Sequence, residues 1–403
     1  MGKIYIRMRA YNAEKTIRRA IKSVLKQTFQ DFIFYVCDNG STDRTGKIID
    51  FYAQKDSRIV PFYNQENMVY NETSIAFRDL PRHIGSDDFY CTLDADDEYF
   101  PTFLEDTLSF MKKNKLDIAG CGTEMFRVDS RGNRHFVGNR VLEKNLVLDT
   151  AQFGMYYPYY HCFMRPTWAK VFKGSTTFDM VTDPNQVSGW PRAYGGDTIM
   201  SFQALRHARR MGILDKVLHR YYIMPTSSSC QFTHSRIASD QILLEDALDF
   251  LGQYGPVSVQ NYNFVYTVYI NALFDTLQVL LSSRELPEKK LDAIIDICNC
   301  RYTIRMAAWK EFNEAAKNLR KQLFSKLSQW MLSLEDVPDE KAEDFLKCGE
   351  FVSAAAEQAW DWVAFKNLKV AFLLQNQREK EAQIIISELN EINNKSEKYY
   401  FGY

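Results

Sequence analysis

Hydrophobic and polar positions follow two alternating spacings along the first 120 residues. Residues 4–8 alternate apolar and polar side chains, which predicts a strand, and residues 17–25 place apolar side chains at helical spacing. A continuous apolar run at 32–37 predicts a strand buried on both faces. The same rhythm continues to a strand at 116–120. Strands that alternate with helices predict a mostly parallel sheet with helices on both faces and ligands at the carboxyl ends of its strands.

The pattern changes twice further along the chain. Residues 127–236 are irregular and rich in Tyr, Pro, Trp and Gly, and long helical spacing begins at residue 237. We therefore predict two domains, an α/β domain over 1–236 and an all-helical accessory domain over 237–403. The accessory domain would serve acceptor binding, dimerisation or docking.

Two carboxylates follow another predicted buried strand, at 89–93. In the segment Leu93-Asp94-Ala95-Asp96-Asp97-Glu98, the side chains of Asp94 and Asp96 point to the same side of an extended chain. Two close carboxylates raise each other's pKa unless a cation lies between them, and Mg²⁺ or Mn²⁺ bridging to phosphate oxygens would relieve this. The alternative is a solvated acidic turn that caps the helix starting near Pro101. Spacing alone does not choose between the two.

Two further polar segments stand in comparable places. Asp38-Asn39-Gly40-Ser41-Thr42-Asp43 follows the apolar run, and Tyr194-Gly195-Gly196-Asp197-Thr198 leads into a helical pattern. The glycine of the first segment permits an unusual φ or a close backbone approach, and its first two residues are placed to contact a base edge. The aspartate of the second would lie in the first helical turn. Each segment alone is also compatible with an ordinary turn and helix cap.

Taken together, the segments resemble a known family. The chain resembles the inverting family-2 glycosyltransferases of the GT-A fold in four segments that occur in the family's order: Tyr11–Glu14, Ser23–Phe29, Asp38–Asp43 and Leu93–Asp97. The resemblance covers residues 3 to about 100 well, continues loosely to about 230, and leaves out the helical part. It implies a GT-A type, mostly parallel sheet with flanking helices, to which the all-helical C-terminal domain is added.

The resemblance also implies the site residues. The nucleotide-sugar donor would contact Ala10, Tyr11, Asp38, Asn39, Arg78, Asp94, Ala95 and Asp96. Asp94 and Asp96 match the family's metal motif, which holds Mn²⁺ or Mg²⁺ on the donor diphosphate. Asp197 matches the general base, which takes a proton from the acceptor hydroxyl as its oxygen attacks and inverts the anomeric carbon.

Two departures from the family pattern bear on these roles. Asn39 stands where the family usually has a second Asp, and its amide oxygen still accepts a hydrogen bond from a uracil imide but carries no charge. Gly196 stands where the family often has Glu before the catalytic Asp. The expected reaction is transfer from a nucleoside-diphosphate sugar, UDP foremost, to a hydroxyl of a glycan, a lipid-linked glycan or a protein.

Composition narrows the partners and the location. The net charge of −1 provides no global field for nucleic acid. Eight cysteines without a Cys-x-x-Cys pair give little support to a cysteine metal site. We see no leader and no apolar run of the roughly 18 residues that span a bilayer, so we expect a cytoplasmic protein. Peripheral contact with the inner face of the membrane and a homodimer are left open.

Four questions stay open at this point. A sugar-phosphate nucleotidyltransferase would use a similar sheet, but residues 10–13 lack the glycine-rich phosphate loop of those enzymes. A catalytically degenerate scaffold acting through the helical domain is opposed by the joint presence of the three acids. His219 or His234 could add a third metal ligand, and the aromatic stretch 155–161 could form an acceptor subsite or a packing cluster.

Overall fold

The chain divides into two compact units. A computed structural model describes residues 2–67, 84–176, 195–224, 232–307, 309–331, 340–341, 343–344 and 360–400. One unit comprises Met1–Cys230 with Asp249–Val257, and the other comprises Gln231–Leu248 with Ser258–Tyr403. The domain limits predicted from the sequence, and the role given to the second domain, stay predictions.

The first unit contains a ten-stranded sheet in its described part. Its strands are β1 (Ile4–Ala10), β2 (Phe32–Asn39), β3 (Ile59–Asn64), β4 (Phe89–Thr92), β5 (Glu98–Tyr99), β6 (Ile118–Val128), β7 (Arg134–Arg140), β8 (Leu146–Asp149), β9 (Lys170–Lys173) and β10 (Arg210–Ile223). They follow the order β3-β2-β1-β4-β9-β6-β10-β5, with β7 beside β6 and β8 beside β10.

Helices flank this sheet and bury their apolar stripes in its core. They are α1 (Ile17–Leu25), α2 (Thr45–Ala53), α3 (Phe103–Asn114), α4 (Thr150–Met164) and α5 (Gly196–His207). The predicted stripe of α1 is confirmed, since Ile17, Ala20, Ile21 and Val24 are fully buried with the apolar residues of β1. Burying an aliphatic side chain of this size stabilises the fold by about 1.5–3 kcal/mol, so this face fixes α1 on the sheet.

The sheet is parallel where strands and helices alternate most strictly. β1 is parallel to β2 and to β4, and β2 is parallel to β3. Beyond β4 the sheet is mixed, because β9 runs antiparallel to β4 and β6 while β10 runs parallel to β6. The predicted class, a mostly parallel sheet with flanking helices plus a helical C-terminal region, is confirmed, and the mixed half refines it.

Regular elements occupy much of the segment predicted to be irregular, so that prediction was wrong. The aromatic stretch 155–161 lies within α4, which contains Pro158. Tyr157 and Tyr160 are fully buried, whereas Tyr159 on the opposite face is 63% exposed. Because aromatic residues occupy both faces, the sequence offers no apolar stripe at helical spacing. The buried tyrosines favour the packing alternative for this part of the stretch.

The second unit is helical throughout its described part. The helices are α6 (Ser235–Gly252, of which 249–252 belong to the first unit), α7 (Val259–Ser282), α8 (Pro287–Asn299), α9 (Arg301–Ala307), α10 (Glu314–Met331), α11 (Trp360–Gln375) and α12 (Glu379–Tyr400). By length and composition, α7 is the one described helix that could cross a membrane, which departs from the expectation of no such segment. Of its most apolar window, 44% is buried inside the protein.

Candidate active site

The ends of β1 and β2 are tied together by their loops. Ala10 lies opposite Asp38 in the parallel register, so the two strands end at the same level. The backbone N–H of Asn12 donates to Ser41 Oγ at 2.9 Å, and the N–H of Thr42 donates to Asn12 Oδ1 at 2.9 Å. The side chain of Asn12 does not cap α1, because it pairs with this loop instead. Thr16 takes the N-cap position, with no side-chain cap hydrogen bond.

Gly40 makes the first polar segment possible. Its φ is +78°, in the left-handed region, and a Cβ at this position would overlap the backbone of Glu66. Both features expected of this glycine, the unusual φ and the close backbone approach, are therefore present.

The predicted nucleotide residues differ in exposure. Tyr11 is 47% exposed at the end of β1, whereas Asp38 is buried and accepts a hydrogen bond from the Ser41 N–H at 2.9 Å. Asn39 is fully buried, and its Oδ1 accepts from Asn64 Nδ2 at 2.7 Å while its Nδ2 donates to Asn67 Oδ1. Tyr11 is thus accessible to a ligand, whereas the polar side chains of Asp38 and Asn39 contact neighbouring segments of the chain.

The acidic segment after β4 places two carboxylates together. Asp94 and Asp96 are each partly buried, with Ala95 buried between them. Burial, then Asp96 and Asp197, raise the pKa of Asp94 to about 7, while Arg7 opposes the shift. Burial also raises the pKa of Asp96, against which Arg19 acts. The charges of Arg7 and Arg19 therefore compensate the two carboxylates only in part.

Asp197 joins this cluster from α5. Gly195 has a φ of +91° immediately before the helix, and Asp197 lies in the first turn as predicted. Burial raises the pKa of Asp197, and Arg165 and Lys170 act in the opposite direction. Since Asp197 is among the causes of the raised pKa of Asp94, the structure brings together acids about one hundred positions apart in the sequence.

Lys170 is a site residue that the sequence analysis did not single out. It is fully buried at the start of β9, and its Nζ donates to the carbonyls of Phe163 at 2.7 Å and Trp168 at 3.2 Å. Burial lowers its pKa to about 7, and the nearby Asp197 opposes that shift most strongly. The available signal was a single lysine within the otherwise apolar segment Ala169–Phe172.

Tyr221 on β10 is a second missed residue. Its ring stacks on Trp168 at a centroid distance of 5.2 Å. After burial, the charges of Asp97, Asp94, Asp96 and Asp197 raise the pKa of its hydroxyl, so this residue faces the whole carboxylate cluster. A tyrosine in this place offers an aromatic face and a hydroxyl beside the acids.

His219 contacts Asp97, not the predicted metal pair. Both residues are fully buried, with His219 Nε2 3.5 Å from Asp97 Oδ2, and the Tyr222 N–H donates to Asp97 Oδ1 at 2.9 Å. Burial lowers the pKa of His219 to about 3. His234, the other histidine considered as a metal ligand, is exposed and belongs to the second unit.

Within the described residues, no group of three or more His, Cys, Asp or Glu side chains could hold a metal ion. The assignment of Asp94 and Asp96 to a metal therefore stays a prediction. Arg78, which the resemblance placed on the donor, lies outside the described residues.

Comparison with known proteins finds a family match for the first part of the chain, which carries Asp94 and Asp96 but ends before Asp197. Residues 5–173 match the family model of glycosyl transferase family 2. Through this segment, which is less than half of the chain, the protein is similar to glycosyltransferase family 2. The resemblance noted in the sequence is thereby confirmed.

Curated relatives match this chain over limited lengths. The uncharacterized glycosyltransferase EpsJ of Bacillus subtilis is 26% identical over 220 residues, which are 54% of this chain and 60% of EpsJ. WfgD of Escherichia coli, a UDP-Glc:alpha-D-GlcNAc-diphosphoundecaprenol beta-1,3-glucosyltransferase, is 37% identical over 114 residues, 28% of this chain and 42% of WfgD. The chain spans about half the length of the curated relatives it matches.

Among solved structures, the match to the crystal structure of S. aureus TarS 1–349 in complex with UDP covers 84% of this chain and 94% of the TarS chain. The identity is 17% and the TM-score is 0.47. The family assignment therefore comes from the family model and the curated relatives.

Proposed function

We propose that this chain is a metal-dependent, inverting glycosyltransferase that moves a sugar from a nucleoside-diphosphate sugar to a hydroxyl acceptor. The observation that carries the proposal is the electrostatic coupling of Asp94 with Asp96 and Asp197, which helps to raise the pKa of Asp94 to about 7. The cluster follows the parallel strands of a family-2 segment, at the edge where such sheets bind ligands.

The carboxylate pair fits a divalent cation. Asp94 and Asp96 both have raised pKa values, so nearby positive charge compensates their ionised forms only in part. Mg²⁺ and Mn²⁺ accept sites of one or two carboxylates that water and substrate phosphate oxygens complete. We assign these two residues to hold the cation, which when bound supplies charge stabilisation to the departing nucleoside diphosphate.

Asp197 is assigned the proton transfer. Its carboxylate oxygen accepts the proton of the acceptor hydroxyl while that oxygen bonds to the anomeric carbon. The bond from the anomeric carbon to the diphosphate oxygen breaks on the opposite side, so the configuration inverts. The raised pKa of Asp197 brings this base closer to working pH, where general bases are most effective.

The nucleotide is assigned to the ends of β1 and β2. Tyr11 is accessible there beside Ala10, whereas Asp38 and Asn39 are buried and hold the surrounding loops through their hydrogen bonds. Arg78 keeps its sequence-based role on the donor phosphates.

The relatives support a choice of donor and acceptor. WfgD and WfaP of Escherichia coli are both named as transferring from UDP-Glc to a lipid diphosphate-linked GlcNAc. We infer a UDP-sugar donor and a lipid-linked glycan acceptor for this chain, with the reaction at the cytoplasmic face of the membrane.

The first experiment is calorimetric titration of the full chain with UDP, GDP, ADP and CDP, with and without Mn²⁺. We expect one nucleotide, UDP, to bind only with the metal. In Asp94→Asn/Asp96→Asn this binding should be lost. The matched control is Asp31→Asn/Asp215→Asn, which changes two exposed aspartates of the same unit and should bind as the wild type does.

Equal, weak or absent nucleotide binding in folded protein, with or without metal, would contradict the proposal. It would favour a scaffold that acts through its helical unit. Circular dichroism of each variant separates loss of binding from loss of fold.

A further inference from the structure

A cleft with a basic lining lies on the α1 side of the first unit. Its volume is about 560 Å³, and seven of its twelve lining residues are lysine or arginine. Glu98 is the single acidic residue among the twelve. Clefts of about 300–1,000 Å³ are the size that small ligands occupy in proteins. The charge of the lining selects for an anion.

One wall of the cleft is the side of α1 that faces solvent, outside the buried apolar stripe of the helix. The spacing of three, four and seven positions places its basic residues on one side of the helix. Lys15, Lys22 and Lys26 are exposed, and none of the three forms an ion pair with a described residue. The wall consists of Arg18, Arg19 and Lys22 of α1, with Lys15 before the helix and Lys26 directly after it.

On the opposite wall, the one carboxylate, that of Glu98, already has ion-pair and hydrogen-bond partners. Glu98 Oε1 lies 3.1 Å from Arg19 Nε and 3.7 Å from Arg220 Nη1, and it accepts a hydrogen bond from the Tyr222 hydroxyl at 2.6 Å. Arg134 donates to that same hydroxyl at 3.2 Å. Glu98 is therefore shared among several donors, and it does not neutralise the lysines across the cleft.

We infer that this cleft is a second anion site, separate from the donor site, which binds a phosphate-bearing ligand such as a diphosphate group. Phosphate oxygens accept several charge-assisted hydrogen bonds at once from lysine and arginine, which matches a concave surface with donors on two walls. The whole chain carries a net charge of only −1, so the positive field is local to the cleft and suits a small anion better than a long nucleic acid.

The cleft is connected to the acidic segment through one side chain. Arg19 Nη2 donates to the backbone carbonyl of Asp96, and Arg19 Nε pairs with Glu98. A ligand that draws on Arg19 therefore acts on the loop that carries the proposed metal pair. Binding in the cleft itself does not depend on the proposed function.

The test is calorimetric titration of the full chain with sodium pyrophosphate in EDTA, which removes divalent metal from the donor site. We expect saturable binding that weakens as NaCl rises from 50 to 300 mM. Lys15→Gln/Lys22→Gln/Lys26→Gln should weaken it at least tenfold. The control Lys47→Gln/Lys112→Gln/Lys113→Gln removes three exposed lysines elsewhere in the unit and should stay within about twofold of wild type.

Three results would overturn the inference. Equal weakening in both triple variants would show a general charge effect. Pyrophosphate binding that requires Mn²⁺ and is lost only in Asp94→Asn/Asp96→Asn would place the anion in the donor site and leave the proposed function intact. Lysine-dependent binding to phosphatidylglycerol vesicles without binding of pyrophosphate would identify a membrane-contact surface. Pyrophosphate binding that survives in Asp94→Asn/Asp96→Asn supports the second site whether or not the proposed function holds.

Discussion

At the scale of single residues, a substitution of Asp197 tests whether this residue serves catalysis or only packing. Its place in the first turn of α5 is that of a helix cap, but burial raises its pKa and it interacts with Asp94. For Asp197→Asn we expect transfer to fall at least a thousandfold with nucleotide affinity within about threefold, because the amide keeps the shape but cannot take a proton. Parallel rate and titration measurements check this. Asp215→Asn is the control, and a collapse of nucleotide affinity would make Asp197 a donor ligand or a structural cap.

Lys170 provides a positioning test at the same scale. Its buried ammonium is one of the groups that lower the pKa of Asp197. Replacing it in Lys170→Met removes that opposition, so the Asp197 pKa should rise further and the acid limb of the kcat/KM profile should move to higher pH. Lys173→Met on the same strand, whose Nζ pairs with Asp87 at 3.8 Å, should leave the profile in place. A uniform loss of rate at every pH would mean that Lys170 serves packing alone.

The residues found and missed by the sequence share one explanation. Asp94, Asp96 and Asp197 follow recognisable strand or helix patterns, so their chemistry is visible in short segments. Lys170 and Tyr221 join them only because β9 and β10 belong to the same sheet, although not next to each other. No local pattern records that sheet order. The polar partners of Asn39 likewise come from the last residue of β3 and from the loop after it, which a local motif does not specify.

At the scale of elements, the loop after β2 depends on a glycine. Gly40 has a φ of +78° and no room for a Cβ beside Glu66. In Gly40→Ala the alanine must adopt the left-handed region and displace that backbone, so we expect a loss of about 1–3 kcal/mol in the free energy of unfolding. Nucleotide affinity should weaken as well, because Asp38 and Ser41 are held by this turn.

Urea unfolding with titration of the surviving folded protein checks this result. Gly252→Ala is the control, since nothing lies within 4 Å of a Cβ at that position. Equal stability of the two variants would show that the loop yields without cost.

The helices and strands could be predicted from the sequence to the extent that their apolar side chains form a simple, regular pattern. α1 buries one stripe and exposes a basic face, and β2 is a continuous apolar run, so both can be recognised from spacing. α4 has aromatic residues on both faces and Pro158 within it, which conceals its period. β9 has four residues, too few for any period to be recognised.

At the scale of the whole molecule, the two units contain separate buried networks. In the helical unit, Asp240 is 2% exposed between α6 and α7, and Thr276 Oγ1 donates to its Oδ2 at 2.8 Å. Burial raises the pKa of Asp240 to about 7, so the folded unit binds a proton that the unfolded chain, with its ordinary pKa of 3.8, releases. The resulting stability is complete below pH 3.8 and is lost as pH rises through about 7.

The Asp240→Asn variant therefore tests whether the stability of the helical unit depends on pH separately from that of the first unit. In the wild type, the helical unit should lose up to about 4 kcal/mol between pH 4 and pH 8, and the amide variant should lose much less because it never ionises. Hydrogen exchange of the full chain locates the effect, after correction for the intrinsic pH dependence of exchange. At pH 8 the variant should protect α6 and α7 more than the wild type does, while β1 and β2 exchange equally in both proteins. Asp296→Asn, an exposed acid on α8, should change neither set. Increased protection that spreads to β1 and β2 would mean that the two units unfold together, and the pH sensitivity of Asp240 would then govern the stability of the candidate active site as well.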